Sequence, residues 1–304
     1  MLQSFSQMEQ HILKGREKKR VALAGAHDLD ALRSLVEARR KGIVEATLIG
    51  REEKIRALLA ELGEDASPYL IIPQEEDALC ARTACQLVRD GQADIPMKGI
   101  IQTAAFMRAI LDKGYGFVPE RGLLSQATLL ELPEEERMMI ISDCAVNIAP
   151  EYPDKVKILQ NAVFLAHRLG IDCPKAAVVA PVEVINPVMQ STIDAAMLSK
   201  ANERGQIQGC IVDGPLGLDN AVSLQAAKHK GISSPVAGVA DILLMPDLCA
   251  GNIFTKSLTY FAKLPTAGAL LGASIPVIMT SRTDSPEDKY HSILTAVILS
   301  QASC

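Results

Sequence analysis

Ser281 and Arg282 are two polar residues that directly follow an apolar run, residues 275–280, near the end of the chain. The run has the composition of a β-strand. Ser285, a proline and Asp288 then form the start signal of a helix, with an N-cap residue, a proline at the first helical position and an acid three residues after the cap. A guanidinium between a strand end and helix amides suits a phosphate or carboxylate. The stretch therefore predicts an anion-binding loop.

The same residues also fit a purely structural interpretation. Asp288 can close a capping box on the new helix, with its carboxylate directed to the backbone, and Arg282 can be a solvated loop residue. The stretch by itself leaves both interpretations open. The loops at other predicted strand ends are therefore needed to decide whether a ligand site is formed.

Polar or glycine-rich loops follow several other predicted strands. Lys98 ends a strand at residues 94–99 and puts a cation at its carboxyl end. Glycine and proline in a single loop most often serve a turn, but several such loops at one sheet edge favour a ligand site, because alternating α/β folds bind ligands at the carboxyl ends of strands. The other candidate substrate-binding residues, in three loops of the second half, are Asn186, Asp213, Gly214, Pro215, Gly251 and Asn252.

These three loops also predict where strands end and helices begin. Asp213 is expected to leave a strand that ends at Val212. Ser191 and Asp194 have the spacing of a capping box. The Gly-Asn pair at 251–252 is expected to open a helix whose first backbone N–H groups are free to bind an anion.

The elements that must position these residues alternate along the chain. Short apolar runs typical of buried strands, such as residues 21–25 and 176–180, are separated by segments with helical spacing of apolar residues, such as 29–41. About ten strands alternating with about ten helices predict an α/β fold with mostly parallel sheets. An irregular section, residues 114–133, precedes a change of domain. We predict a discontinuous first α/β domain of residues 1–145 plus 274–304 and a second of residues 146–273.

Composition excludes several classes of function. The chain has 304 residues, of which 48% are hydrophobic and 22% charged, with a net charge of −5 and no Trp. These values are typical of a soluble globular protein without a nucleic-acid surface. No window reaches the ~18 uncharged apolar residues of a membrane span. No secretory signal is recognised, and the seven Cys residues form no disulfide framework, so a cytoplasmic protein is expected.

Motifs for common cofactors and metals are missing as well. The first strand is not followed by GxGxxG, and neither GxxxxGK(S/T) nor GxSxG occurs, which argues against a dinucleotide site, a P-loop and a serine hydrolase. No Cys/His cluster has zinc spacing, so no metal site is predicted. His27 ends the first strand, where a loop or capping role is expected.

Five ordered motifs resemble the phosphate acetyl/butyryl transferase family over nearly the whole chain. They are ADIPMKG (93–99), EVINPVMQSTIDAAMLSK (183–200), GCIVDGPLGLDNA (209–221), ADILLMPDLCAGN (240–252) and TSRTDS (280–285). The resemblance implies two α/β/α domains with an interdomain cleft, similar to isocitrate and isopropylmalate dehydrogenases, and a homo-oligomer, dimer or higher. It also implies that a short-chain acyl-CoA reacts with inorganic phosphate to give acyl phosphate and CoA, without a prosthetic group.

By the same resemblance, the Ser-Arg pair and the catalytic Asp of the acetyl-specific enzymes correspond to Ser281, Arg282 and Asp288. Arg282 would hold phosphate or acyl phosphate, and Ser281 would donate to the tetrahedral oxyanion. Asp288 would accept the CoA thiol proton when acyl phosphate is the acyl donor, because the thiolate is the nucleophile. Lys98 and the six loop residues above would bind substrate.

The chain departs from the acetyl-specific enzymes at a cleft arginine, where Tyr260 stands. Lys98 is expected to supply the positive charge instead, and a butyryl-type or branched-chain acyl group is favoured over acetyl. Two other functions stay open: a metal- and NAD-dependent decarboxylating dehydrogenase on the same fold, and an inactive acyl-CoA binding relative. The dehydrogenase would need clustered carboxylates for a divalent cation at a subunit interface and a cofactor loop, and the sequence shows no such loop.

Overall fold

The computed structural model describes residues 1–15 and 17–301, so that Arg16 and residues 302–304, including Cys304, lie outside the described residues. The chain divides into two compact units. One consists of residues 1–4 and 123–265 and is called the central unit; the other consists of residues 5–122 and the chain from 266 onward and is called the terminal unit. Each unit is described by itself.

The N-terminal part of the terminal unit alternates helices and strands, as the sequence predicts. Its four strands form a fully parallel sheet in the order β3-β2-β1-β4. The apolar runs at 21–24 and 95–97 are buried in this sheet. The elements are α1 (Phe5–Gly15), β1 (Lys19–Ala24), α2 (Leu29–Arg40), β2 (Val44–Gly50), α3 (Glu52–Glu61), β3 (Leu70–Pro73), α4 (Asp77–Arg89), β4 (Ile95–Lys98) and α5 (Thr103–Ile110).

The central unit contains a mixed sheet in which five strands follow the order β5-β6-β9-β7-β8. β5 is antiparallel to β6, and the other pairs are parallel. Its elements are β5 (Ser125–Leu132), β6 (Arg137–Ser142), α6 (Tyr152–Arg168), β7 (Lys175–Val179), α7 (Gln190–Glu203), β8 (Ile211–Leu216), α8 (Leu218–Val222), α9 (Leu224–His229), β9 (Ile242–Leu244) and α10 (Leu248–Tyr260).

Strand β5 lies in the section that the sequence suggested was irregular, and this part of the prediction is wrong. The glycines and prolines on which that interpretation rested end at Gly122, and residues 127–132 of β5 pair with β6. Because β6 in turn pairs with β9, both strands belong to the central unit. The unit boundaries consequently fall at 122/123 and 265/266, whereas the sequence placed the domain boundaries at 145/146 and 273/274.

The C-terminal part of the terminal unit contains β10 (Thr266–Leu271) and α11 (Pro286–Ser300). Helix α11 is buried along its length, since every residue from 289 to 299 is buried. Of the strand predicted within residues 275–280, two residues make bridges: Val277 pairs with Leu270, and Ile278 with Met97 of β4. This short segment extends the edge of the sheet beyond β4.

None of the helices in the described part of the chain is both long enough and apolar enough to cross a membrane. Among those same residues, no group of three or more His, Cys, Asp or Glu side chains could hold a metal ion. The six described cysteines are free thiols.

Candidate active site

Lys98 and the loop of residues 280–285, called the Ser281 loop, leave the terminal unit's sheet at the same edge. Ile278 pairs in parallel with Met97. Two backbone hydrogen bonds fix the pairing: Lys98 N donates to Ile278 O at 2.9 Å, and Ile278 N donates to Pro96 O at 3.0 Å. Because the two segments run in the same direction, the residues that follow them emerge together. Of the loops expected to converge, Lys98 and the Ser281 loop therefore lie at one sheet edge, whereas the other candidate loops belong to the central unit.

Asp284 folds the Ser281 loop on itself. Ser281 N donates to Asp284 Oδ2 at 2.7 Å, and Asp284 N donates to Ser281 O at 3.3 Å. The Ser281 and Thr283 hydroxyl oxygens are 3.1 Å apart, within hydrogen-bond distance. Ser281 and Arg282 are both exposed. The loop thus presents a hydroxyl and a guanidinium to solvent from a backbone that its own hydrogen bonds hold in shape.

Asp288 combines a helix-capping position with a link between two elements. Its backbone N–H donates to the N-cap hydroxyl of Ser285 at 3.0 Å, as predicted. Its carboxylate accepts three hydrogen bonds: Oδ2 from Ser285 Oγ at 2.6 Å, and Oδ1 from both N and Oγ1 of Thr266 at 3.0 Å. The side chain therefore ties the start of β10 to the start of α11, and Oδ2 keeps free acceptor capacity.

Lys98 is buried, with 3% of its surface exposed. Burial lowers the pKa of Lys98, and the positive charge of Arg282 lowers this pKa further; Lys289 acts in the same direction, while Asp28 and Asp284 oppose it. These charges act on one another because they surround the same sheet edge. The terminal unit therefore concentrates three cations around the end of β4.

In the central unit, Asp213, Gly214 and Pro215 lie inside β8 and not in a loop after it. The predicted strand end at Val212 is wrong, because pairing with β7 shifts register and then continues to Leu216. Asp213 Oδ1 accepts from Gly214 N at 2.8 Å and from the Ser199 hydroxyl at 3.2 Å. A Cβ on Gly214 would lie 2.7 Å from Val178 O, so close packing of β7 and β8 also requires this glycine.

Asn186 organises the turn that leads into α7. Asn186 N donates to Thr192 Oγ1 at 2.9 Å, and Asn186 Oδ1 accepts from Val188 N at 3.1 Å. The predicted capping box of Ser191 and Asp194 is wrong, because α7 begins at Gln190 and its N-cap residue makes no side-chain capping bond. These bonds give Asn186 a structural role in the turn.

Asp194 instead belongs to a buried polar network that sequence analysis missed. Its side chain forms an ion pair with Lys155 at 2.6 Å, and the two side chains are 3% and 5% exposed. Gln190 Nε2 donates to the other carboxylate oxygen at 2.8 Å. The network lines a cavity of about 920 Å³ at the carboxyl ends of the central unit's parallel strands. Its only signal in the sequence was a lysine among the apolar positions of α6.

Gly251 and Asn252 lie in the first turns of α10 and do not open it. The helix begins at Leu248, and Asp247 is its N-cap, accepting from Ala250 N at 2.9 Å. Gly251 N donates to Asp247 O at 3.1 Å, so the predicted free amide at this position is wrong. Asn252 Nδ2 donates to Cys144 O at 3.1 Å.

Gly251→Ala is expected to destabilise the protein, because an added Cβ would lie 2.2 Å from Asp143 O. Overpacking of this kind costs roughly 1–3 kcal/mol in the free energy of unfolding, which urea denaturation measures. Gly15→Ala is the matched control, since a Cβ there would meet only Gln301 Nε2, at 3.9 Å. Equal stability of the two variants would contradict the close approach of α10 to the end of β6.

Comparisons with known proteins identify relatives of this chain. A family model described as phosphate acetyl/butaryl transferase matches residues 74–297. Phosphate butyryltransferase of Clostridium beijerinckii is 43% identical over 287 residues, which are 94% of this chain and 95% of that protein. Phosphate acetyltransferase of Thermotoga maritima is 43% identical over 286 residues, 94% of this chain and 96% of that protein.

A solved structure extends the likeness to the fold. A branched-chain phosphotransacylase from Enterococcus faecalis V583 superposes with a TM-score of 0.82 at 32% identity, and the match covers 93% of this chain and 99% of that one. Sequence and structure therefore agree over nearly the full length. The chain belongs to the phosphate acetyl/butaryl transferase family.

Proposed function

We propose that this protein is a phosphate acyltransferase that converts a short-chain acyl-CoA, such as butyryl-CoA, and inorganic phosphate into acyl phosphate and CoA. The observation that carries the proposal is the grouping of Ser281, Arg282 and buried Lys98 at one sheet edge in a member of this family. Two cations and a hydroxyl donor suit an anionic substrate and an oxyanion. Acyl transfer of this kind needs no covalent enzyme intermediate.

Each side chain has a distinct role in the proposed reaction. The exposed Arg282 guanidinium binds two oxygens of phosphate and aligns a third for attack on the thioester carbonyl. The Ser281 hydroxyl donates to the carbonyl oxygen as it becomes negative. In the reverse direction, Asp288 accepts the proton of the CoA thiol through the oxygen that is bound only by Ser285.

The central unit is proposed to bind the rest of CoA. Asn186, Asp213, Gly214, Pro215, Gly251 and Asn252 stay candidate substrate-binding residues. The cavity beside Lys155 and Asp194 has a mixed lining of apolar side chains, including Met197 and Pro181, and of polar and charged side chains. Such a lining suits an organic group. We also propose a cytoplasmic homo-oligomer that uses CoA as substrate and holds no prosthetic group; the interdomain cleft stays a prediction of the resemblance.

Phosphate-dependent release of free thiol from butyryl-CoA is the direct test. We expect free thiol to be released when phosphate is the only addition to enzyme and butyryl-CoA. The rate should need no added nucleotide and should be unchanged after treatment with a chelator. Activity that required NAD and a divalent cation would support the decarboxylating dehydrogenase instead. Light scattering coupled to gel filtration measures the oligomeric state, and a monomer would contradict that part of the proposal.

The acyl preference needs a panel of substrates. The values of kcat/KM distinguish a butyryl enzyme from an acetyl or branched-chain one when they are measured for acetyl-, propionyl-, butyryl- and isobutyryl-CoA. We expect butyryl- or isobutyryl-CoA to give the highest value, because the family resemblance places Tyr260 where the acetyl-specific enzymes have an arginine. A highest value for acetyl-CoA would contradict this preference and leave the reaction class unchanged.

A further inference from the structure

We propose that Lys98 and Lys289 form a buried two-lysine site for a phosphoryl dianion. The proposal rests on the proposed function and assigns Lys289 a role in it. Lys98 is 3% exposed, at the end of β4, and Lys289 is 1% exposed, in the first turn of α11. The dianion is inorganic phosphate or the phosphoryl end of acyl phosphate.

Both lysines lack an acidic partner within the described part of the chain. Lys98 Nζ donates to Gly99 O at 3.2 Å, and Lys289 Nζ donates to Asp284 O. Neither ammonium lies within 4.0 Å of an Asp or Glu carboxylate of the described residues. Each ammonium carries three N–H donors, so two donors on each stay available. Buried charges are normally paired, because desolvation of an isolated charge is costly.

Lys155 shows how this chain satisfies a buried lysine that has a structural role. It is 4% exposed, comparable to Lys98, yet its ammonium contacts the Asp194 carboxylate at 2.6 Å. The contrast indicates that Lys98 and Lys289 are not stabilised by the folded chain alone. An external anion would supply the missing partner.

The position of Lys289 adds an independent argument. It lies four residues after the N-cap Ser285, where the helix dipole is positive and disfavours a cation. An anion at the same helix start would reverse this penalty. The positive charges of Arg282 and Lys289 both act on Lys98, against two opposing carboxylates, Asp28 and Asp284.

The melting temperature of a Lys289 variant distinguishes an anion-binding lysine from one that only supports the Ser281 loop. Lys289→Met removes an unpaired buried charge and keeps the side-chain volume. Without phosphate, we expect the variant to melt at the same or a higher temperature than the wild type. We also expect the rise in melting temperature on adding phosphate to be lost. A large fall in melting temperature without phosphate, with the phosphate effect retained, would show that Lys289 only holds the Asp284 carbonyl.

Calorimetry measures how much Lys289→Met weakens the binding of inorganic phosphate relative to the wild type. Loss of a charge-assisted hydrogen bond is expected to weaken binding by about 10- to 100-fold. Lys256→Met, which removes an exposed lysine of α10, is the control and should bind phosphate as the wild type does. Unchanged binding to Lys289→Met would overturn the proposal. Because this assay needs no acyl-CoA, it stands even if the proposed reaction fails.

Kinetics distinguish free phosphate from the phosphate groups of CoA. We expect Lys289→Met to raise the KM for phosphate by about 10- to 100-fold and to leave the KM for butyryl-CoA little changed. S-butyryl-pantetheine, which lacks the nucleotide, should show the same rise in phosphate KM. A higher KM for butyryl-CoA, with no change for phosphate, would assign the site to CoA and overturn the proposal.

Discussion

Arg282→Ala is expected to raise the KM for phosphate by about 10²-fold while the protein stays folded. The guanidinium is exposed and lies on a loop whose backbone is fixed by Ser281 and Asp284, so its removal should leave the fold unchanged. Loss of two charge-assisted hydrogen bonds to phosphate accounts for the magnitude. Initial rates at varied phosphate, with saturating butyryl-CoA, measure the effect.

Two further variants identify what Arg282 contributes. Arg282→Lys keeps the charge and loses the planar, two-bond geometry, so it should recover only part of the affinity for phosphate. Arg204→Ala, at the exposed C-cap of α7, is the control for loss of a surface arginine. If the KM for phosphate is unchanged in Arg282→Ala, Arg282 is a solvated loop residue that does not bind phosphate.

The outline of this site was predictable because its main signals are local. Ser285, followed by a proline and an acid, marks a helix start in any fold, and the structure confirms Ser285 as the N-cap of α11. Lys98 ends a short apolar run, and a strand end is a local feature as well. The alternation of strands and helices depends on periodicity within each segment.

What could not be predicted depends on contacts between distant residues. The carboxylate of Asp288 is bound by Thr266, 22 positions away, and Asp194 is paired with Lys155, 39 positions away. Strand β5 is defined by its pairing with β6. In the sequence, Lys289 is one lysine in a polar helix start, and only its burial and the lack of an acidic partner among the described residues give it significance.

The start of α10 shows a related limit. Gly251 and Asn252 looked like a helix opening because glycine and asparagine are common at helix ends. The structure places Asp247 at the N-cap instead. A glycine is required at position 251 for a steric reason, because the backbone there lies close to Asp143 O. A glycine that permits close packing and one that opens a helix have the same appearance in the sequence, so a single chain does not separate them.

Asp288→Asn is expected to lower kcat for the reaction of acyl phosphate with CoA by about 10²- to 10⁴-fold, the range for loss of a general base. Asparagine keeps an oxygen for the two Thr266 donors, and its NH₂ can donate to Ser285 Oγ in place of the present bond. The tie between β10 and α11 should therefore survive. Denaturation curves of the two proteins verify that the fold is kept.

The pH dependence of kcat in Asp288→Asn distinguishes a general base from a residue that only links β10 to α11. A free thiol has a pKa near 8.5, so CoA becomes thiolate without help as pH rises through that value. If Asp288 is the base, the defect of Asp288→Asn is largest near pH 6–7 and shrinks toward pH 9. A defect that is the same at every pH would mean that the carboxylate only positions the loop and helix.

Ser285→Ala completes this comparison, because it removes a partner of the carboxylate and leaves the carboxylate itself. The variant loses the N-cap bond to Asp288 N and the bond to Oδ2, and its free energy of unfolding should fall by about 1 kcal/mol. Its kcat should stay within a few-fold of the wild type, since Oδ2 is then free to take the thiol proton. If Ser285→Ala and Asp288→Asn lose activity equally, Asp288 acts through the geometry of the helix start; if only Asp288→Asn does, the proton goes to its carboxylate.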